Sequence, residues 1–143
     1  MAIGVFIADK SAFEQQRHSS VADGLLKALA ADGALFMTEI VAMELLYSAR
    51  SPSDYEERWD GLATLPWLHL TEAVARRALD IQRLLAAAST HRRPIPDLVV
   101  SATALEYGAT VLHYDRDFDV IAGATELLAQ WVIPRGTGHS GGP

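Results

Sequence analysis

Five carboxylates stand where an acidic side chain is conspicuous. Asp9 directly follows the apolar run at residues 4–8 (GVFIA), and Glu44 interrupts the apolar sequence Val41, Ala42, Met43, Leu45, Leu46. Asp97 stands at the mouth of another apolar stretch, in Pro94-Ile95-Pro96-Asp97-Leu98-Val99-Val100, and Asp115 and Asp117 leave the run at residues 109–114 (ATVLHY). Each has an ordinary explanation. Asp9, with Ser11, suits a helix cap, Glu44 can snorkel at the edge of an apolar stripe, Asp97 suits the positive end of a helix dipole, and Asp115-Arg116-Asp117 can be a solvated turn. Four separate explanations are needed where one metal site accounts for the set. Carboxylates so close repel unless a cation or nearby donors compensate them. Hard cations such as Mg²⁺ and Mn²⁺ favour oxygen ligands, and carboxylates converging on them can hold a scissile phosphate and lower the pKa of an attacking water.

The remaining chemistry-bearing residues form no comparable pattern. His18, His69, His91, His113 and His139 are scattered without paired ligand spacing and read as structural or surface residues. There is no cysteine, so a disulfide framework, a thiolate zinc site and a thiol nucleophile are excluded, and a reducing, cytoplasmic setting is the default. No phosphate-binding glycine loop is found. Arg92-Arg93 either steer a substrate phosphate toward Asp97 or belong to a solvated loop. Tyr47, Trp59 and Trp67 read as core or a dimer face rather than as a base-stacking platform. The formal charge of −6 argues against nucleic-acid binding through a broad basic surface, yet it accords with carboxylates gathered in one site.

The elements that must position these residues follow from punctuation and periodicity. Strands are expected at residues 4–8, 34–37, 66–70, 109–114 and 126–133, and helices after Asp9 and at 21–31, 39–50, 54–62, 71–88, 97–107 and 117–122. Thr38 and Thr71 are suited to N-caps, Gly108 to a helix stop. Within the helix at 39–50, Ile40, Met43 and Tyr47 share one stripe. Residues 1–133 make one domain of 143 residues in all, and the Gly-rich segment 134–143 is expected to be a flexible tail. The alternation of strands and helices implies an α/β fold with a mostly parallel central sheet flanked by helices. In such sheets ligands bind beyond the carboxyl ends of strands, where Asp9 and Asp115 stand. The apolar start at residues 1–8 is too short for a signal peptide or a membrane span.

At these residues the sequence resembles the PIN domains, and within them the VapC-type toxins of bacterial toxin–antitoxin pairs. The resemblance is carried by IADKSAF around Asp9, by TEIVAMELLY around Glu44, and most specifically by IPDLVVSATALEYGATVLHYDRDFDVIA around Asp97, Asp115 and Asp117. It implies a three-layer PIN-like fold and an endoribonuclease dependent on Mg²⁺ or Mn²⁺. It further implies a homodimer silenced by a cognate VapB-type antitoxin. Asp9, Glu44, Asp97 and Asp115 match the catalytic positions. Asp9, Asp97, Asp115 and Asp117 are the expected metal ligands, with Asp117 additional or alternative. Ser11 and Thr38 match hydroxyl positions suited to orienting carboxylates or water. One departure is Lys10, where the family more often has a small hydroxyl residue; it either points away or adds a cation near the substrate phosphate.

Two rivals remain open at this point. A phosphohydrolase or phosphotransferase could use Asp9 as a covalent nucleophile, although Lys10-Ser11 stands where such phosphatases place a second aspartate two residues on. The other is a partner-binding module of the same fold without catalysis. It gains little from a sequence in which every acidic position remains.

Overall fold

The structure, a computed structural model, describes residues 4–138. The apolar residues after Gly4 form strand β1 (Phe6–Ala8), and Asp9 caps helix α1 (Lys10–Gln16). Helix α2 (Ser20–Ala31) is capped by the Ser19 hydroxyl and ends at Asp32-Gly33, where the positive φ of Gly33 turns the chain into β2 (Leu35–Phe36). Helices α3 (Glu39–Tyr47), α4 (Pro52–Ala63), α5 (Glu72–Ala87) and α6 (Ile95–Tyr107) follow. Gly108, left-handed at φ 67°, ends α6 and admits β3 (Thr110–His113), then α7 (Asp117–Ala124) and β4 (Leu128–Trp131).

The four strands form one parallel sheet in the order β2-β1-β3-β4. From β1 the chain steps outward on one side to β2, and later from β3 outward on the other side to β4. The sheet therefore reverses its order between β1 and β3, the position at which open α/β sheets leave a crevice at their carboxyl ends. Ala8 pairs with Leu112 there, and the Asp9 N–H donates to the Leu112 carbonyl at 2.9 Å.

Alternate strand residues serve opposite layers. Ile7 and Val111 join a core with Val41, Val74, Ile81, Leu85, Val100 and Phe118 from α3, α5, α6 and α7. Ala8, Leu35 and Leu112 pack with Ala12, Ala22 and Leu26 from α1 and α2. A parallel sheet covered on both faces is the expected outcome of strands so apolar throughout. This is the anticipated three-layer α/β arrangement.

Three expectations are modified. The strand anticipated at residues 66–70 is only an isolated bridge between Met37 and Trp67. The Met37 N–H donates to the Pro66 carbonyl and the Leu68 N–H to the Met37 carbonyl, both at 2.8 Å, while Pro66 itself has no N–H to extend a ladder. In α3 the buried face is Val41, Ala42 and Leu46, whereas Met43 is 56% and Tyr47 91% exposed. The helix is apolar nearly all round, so periodicity could not tell which stripe faces inward. Of the expected tail, residues 134–138 fold back so that Gly136 and Gly138 donate to the Tyr114 hydroxyl at 3.0 and 2.7 Å. Residues 139–143, with His139, lie outside the described residues.

Among the described residues no helix is long and apolar enough to cross a membrane.

Candidate active site

Asp9 closes β1 and opens α1, so its position is fixed by the sheet and its side chain by the helix. Its Oδ2 accepts from the Ser11 N–H at 3.1 Å and from the Ser11 hydroxyl at 2.8 Å. The Ser11 Oγ in turn accepts from the Tyr114 N–H at 2.9 Å, which ties the carboxylate to the end of the neighbouring strand β3. Asp9 is 4% exposed. Burial raises its pKa above the usual aspartate value against the opposing effect of the Ser11 hydrogen bonds. The capping and functional readings of Asp9 therefore coexist in one geometry.

Asp97 occupies the third position of α6, and it is not the cap. The N-cap is Pro94, without a side-chain bond, and Asp97 Oδ2 is buried with no hydrogen-bond partner. Burial first, then the charges of Asp9, Asp115, Asp117 and Glu44, push its pKa up to about 8. Those four named neighbours are the other four carboxylates picked out in the sequence. Each is thus near enough for its charge to weigh on Asp97.

Asp115 follows β3 directly. Its Oδ1 accepts from the Asp117 N–H at 2.9 Å, and its own N–H donates to His113 Nδ1 at 3.1 Å. Burial raises the Asp115 carboxyl pKa. One carboxylate oxygen from each of Asp97, Asp115 and Asp117 lies within 4.8 Å of the others, a spacing suited to a shared cation. Glu44, in the middle of α3, has Oε1 buried without a partner and a pKa raised by burial and then by Asp9. It stands outside that three-oxygen group. Thr38 has the backbone geometry of an N-cap for α3, but its side chain makes no capping bond; it is buried.

Three contributions go beyond the sequence reading. Arg93 donates from Nη1 to Asp117 Oδ1 at 2.6 Å, so it is an internal cation of the site rather than a solvated loop residue. His113 lies beneath Asp115, enclosed by the rings of Phe118 and Trp131 at 5.1 and 5.0 Å, and burial drives its pKa down to about 4. It is therefore neutral near pH 7, with Nδ1 acting as acceptor for the Asp115 N–H. Ser101, four residues after Asp97 and thus on the same face of α6, has a buried hydroxyl without a partner. That spacing within an apolar helix was the one signal the sequence offered for it.

Unpartnered buried polar atoms cost on the order of 1–3 kcal/mol each. Asp97 Oδ2, Glu44 Oε1 and Arg93 Nε are among the few described, and all belong to side chains of this one site. An oxygen-only donor set with carboxylates held together despite repulsion fits Mg²⁺ or Mn²⁺ and offers nothing to a metal that requires thiolate or imidazole.

Comparison with known proteins accords with this arrangement. The model of the PIN domain family matches residues 6–124. Ribonuclease VapC51 of Mycobacterium tuberculosis is 45% identical over 109 residues, covering 76% of this chain and 80% of that protein. Ribonuclease VapC18 of the same organism is 39% identical over 139 residues, covering 93% and 98%. Among solved structures, a chain of VapBC2 from Rickettsia felis bound to a promoter DNA fragment superposes with a TM-score of 0.73 at 15% identity, covering 88% of this chain and 97% of that one. A chain of DNA-bound VapBC from Salmonella typhimurium gives 0.72 at 19%, covering 91% and 99%. At those identities the likeness establishes the fold.

Proposed function

This chain belongs to the PIN-domain family, as a VapC-type member of it, and we propose that it is a metal-dependent endoribonuclease toxin held in check by a VapB-type antitoxin. The observation that carries the reading is the meeting of Asp97, Asp115 and Asp117 oxygens within 4.8 Å, with Asp97 Oδ2 buried and unpartnered. Asp9, Asp97, Asp115 and Asp117 would hold Mg²⁺ or Mn²⁺. When bound, the ion supplies positive charge for the phosphate oxygens and acidifies water.

The chain's own groups do the rest. Ser11 fixes the rotamer of Asp9 against the end of β3, and Arg93 fixes Asp117. His113 holds the backbone of Asp115. Glu44, whose Oε1 is not engaged, accepts the proton of the attacking water. Water adds to phosphorus, the bond to the leaving ribose oxygen breaks, that oxygen takes a proton from solvent, and the products are a phosphate monoester and a free hydroxyl. No protein nucleophile is used.

Covalent catalysis through Asp9 is not favoured, since Ser11 stands two residues on, where such chemistry places a second aspartate, and bonds to Asp9 Oδ2 instead. The relatives named ribonucleases support RNA as the substrate, and neighbours solved as VapBC complexes support an antitoxin partner. A basic side chain from that partner would complement the acidic cleft. We include a homodimer in the reading, checked by light scattering at tens of micromolar. The test of the activity is cleavage of a pooled RNA with Mn²⁺, Mg²⁺ or chelator, followed by mapping of the cut ends. Cleavage unchanged by excess chelator removes the metal from the mechanism.

A further inference from the structure

An acidic centre repels a polyanion, so binding energy for RNA must come from cations nearby. The chain, at −6 overall, has few places to supply it. One crevice of about 220 Å³ stands out, lined by three cations, Lys10, Arg17 and Arg58, and by two acids, Glu14 and the Glu44 it shares with the carboxylate site. Lys10 opens α1, Arg17 caps its C-terminal end and Arg58 lies on α4, and the three converge across α3.

Their states differ in an informative way. Arg58 is anchored: Nε donates to Asp54 Oδ1 at 3.1 Å, and Nη1 donates to the Leu45 carbonyl and Ser48 Oγ, both at 3.0 Å. The guanidinium is thus held in place before any ligand arrives, with Nη2 outside that anchorage. Arg17 is exposed, its backbone N–H closes α1 on the Gln15 carbonyl, and no ion pair or hydrogen bond of its side chain is described. Lys10 meets Glu14 at 3.5 Å, but both side chains are nearly half exposed, and such a pair contributes little and exchanges readily. A fixed planar donor flanked by one unpaired cation and one held only by an exchangeable surface pair is an arrangement that can take up a phosphate.

We propose that this crevice binds a backbone phosphate of the RNA, next along the chain from the one positioned at the carboxylates. The proposal rests on the ribonuclease reading above and adds to it a subsite and a direction for the strand, from the Asp97 cluster across Glu44 toward Arg17. It gives Lys10 the second of its two possible roles.

The test pairs Lys10→Ala/Arg17→Ala with wild type and with the charge-conserving Lys10→Arg/Arg17→Lys, leaving Arg58 in place because it ties α4 to α3. Cleavage kinetics on a mixed-sequence single-stranded RNA should show KM raised about tenfold by the double alanine variant with a much smaller change in kcat, and KM near wild type in the charge-conserving variant. Binding of the same labelled RNA is measured by anisotropy in an Asp97→Asn background with Mg²⁺. The log–log salt slope there should become shallower by roughly 0.7 for the one lost phosphate contact. If the slope changes so while wild type cuts no RNA, the crevice stands as a phosphate site and the nuclease reading falls. Unchanged KM and slope with an active wild type overturn the crevice and leave the nuclease. Lost affinity for a polyglutamate peptide with RNA binding intact also overturns it, assigning the cations to an acidic protein partner.

Discussion

Arg93 reaches across 24 residues of sequence to donate from Nη1 to Asp117 Oδ1 at 2.6 Å, with both side chains about four-fifths buried. Asp117 is thereby compensated by a cation, whereas Asp9 and Asp115 have only neutral donors and Asp97 Oδ2 has none. Removing the guanidinium leaves a charged, partly buried acid beside Asp115 and Asp97. Arg93→Gln should destabilise the metal-free protein by about 2 kcal/mol, lowering Tm by roughly 5 °C. Thermal denaturation in chelator checks this, and an unchanged Tm means the pair is electrostatically idle.

Ser11 is the only contact described that joins the Asp9 carboxylate to the end of β3. Ser11→Ala removes both hydroxyl bonds but keeps the helix start. Groups that orient ligands in this way typically matter by about 10- to 100-fold in metal affinity or activity. Mn²⁺ titration by calorimetry, with circular dichroism to verify folding, should show that loss. Wild-type affinity in Ser11→Ala would show that Asp9 is held by the backbone alone.

The pKa of Asp97, about 8 against an ordinary 3.8, makes metal-free stability depend on pH. Because the folded value is raised, the folded state binds the proton more tightly. The stabilisation is complete below the unfolded pKa and is lost as pH rises through the folded one, so metal-free stability should decline between pH 4 and pH 8. Metal affinity should climb over the same window, since the ligand must lose its proton. Urea denaturation in chelator at several pH values reads the first effect. In Asp97→Asn the decline should flatten, and an equal decline in the variant would move its origin elsewhere.

Glu44→Gln keeps the shape of the side chain and removes its ability to take a proton. Cleavage should fall by about 10²–10⁴-fold, the usual range for a general base. Stability in chelator should hold or rise, because a half-buried carboxylate with one unpartnered oxygen is replaced by a neutral amide. A rate near wild type would return Glu44 to the helix face.

The fold was legible because its strands are short apolar runs bounded by strong punctuation, such as Asp32-Gly33 and Tyr107-Gly108. Asp9 and Asp115 could be placed because each directly follows such a run. Residues 66–70 misled because Pro66 permits only a bridge there, and α3 misled because both its faces are apolar. Arg93 could be read only as steering phosphate or as part of a solvated loop, since nothing local couples it to Asp117, and the support of Asp115 by His113 appears only once β3, α7 and β4 close around the ring. Long-range pairings of this kind leave no periodic trace in a single sequence.

The central claim is that the buried Asp97 carboxylate belongs to the machinery that cuts RNA. It is tested most directly by comparing wild type and Asp97→Asn on one RNA substrate in Mn²⁺, with both proteins shown to be folded. The account predicts that wild type cleaves, that chelator stops it, and that Asp97→Asn loses at least about a hundredfold in rate while melting no lower than wild type in chelator. A folded Asp97→Asn that cleaves at the wild-type rate would contradict it.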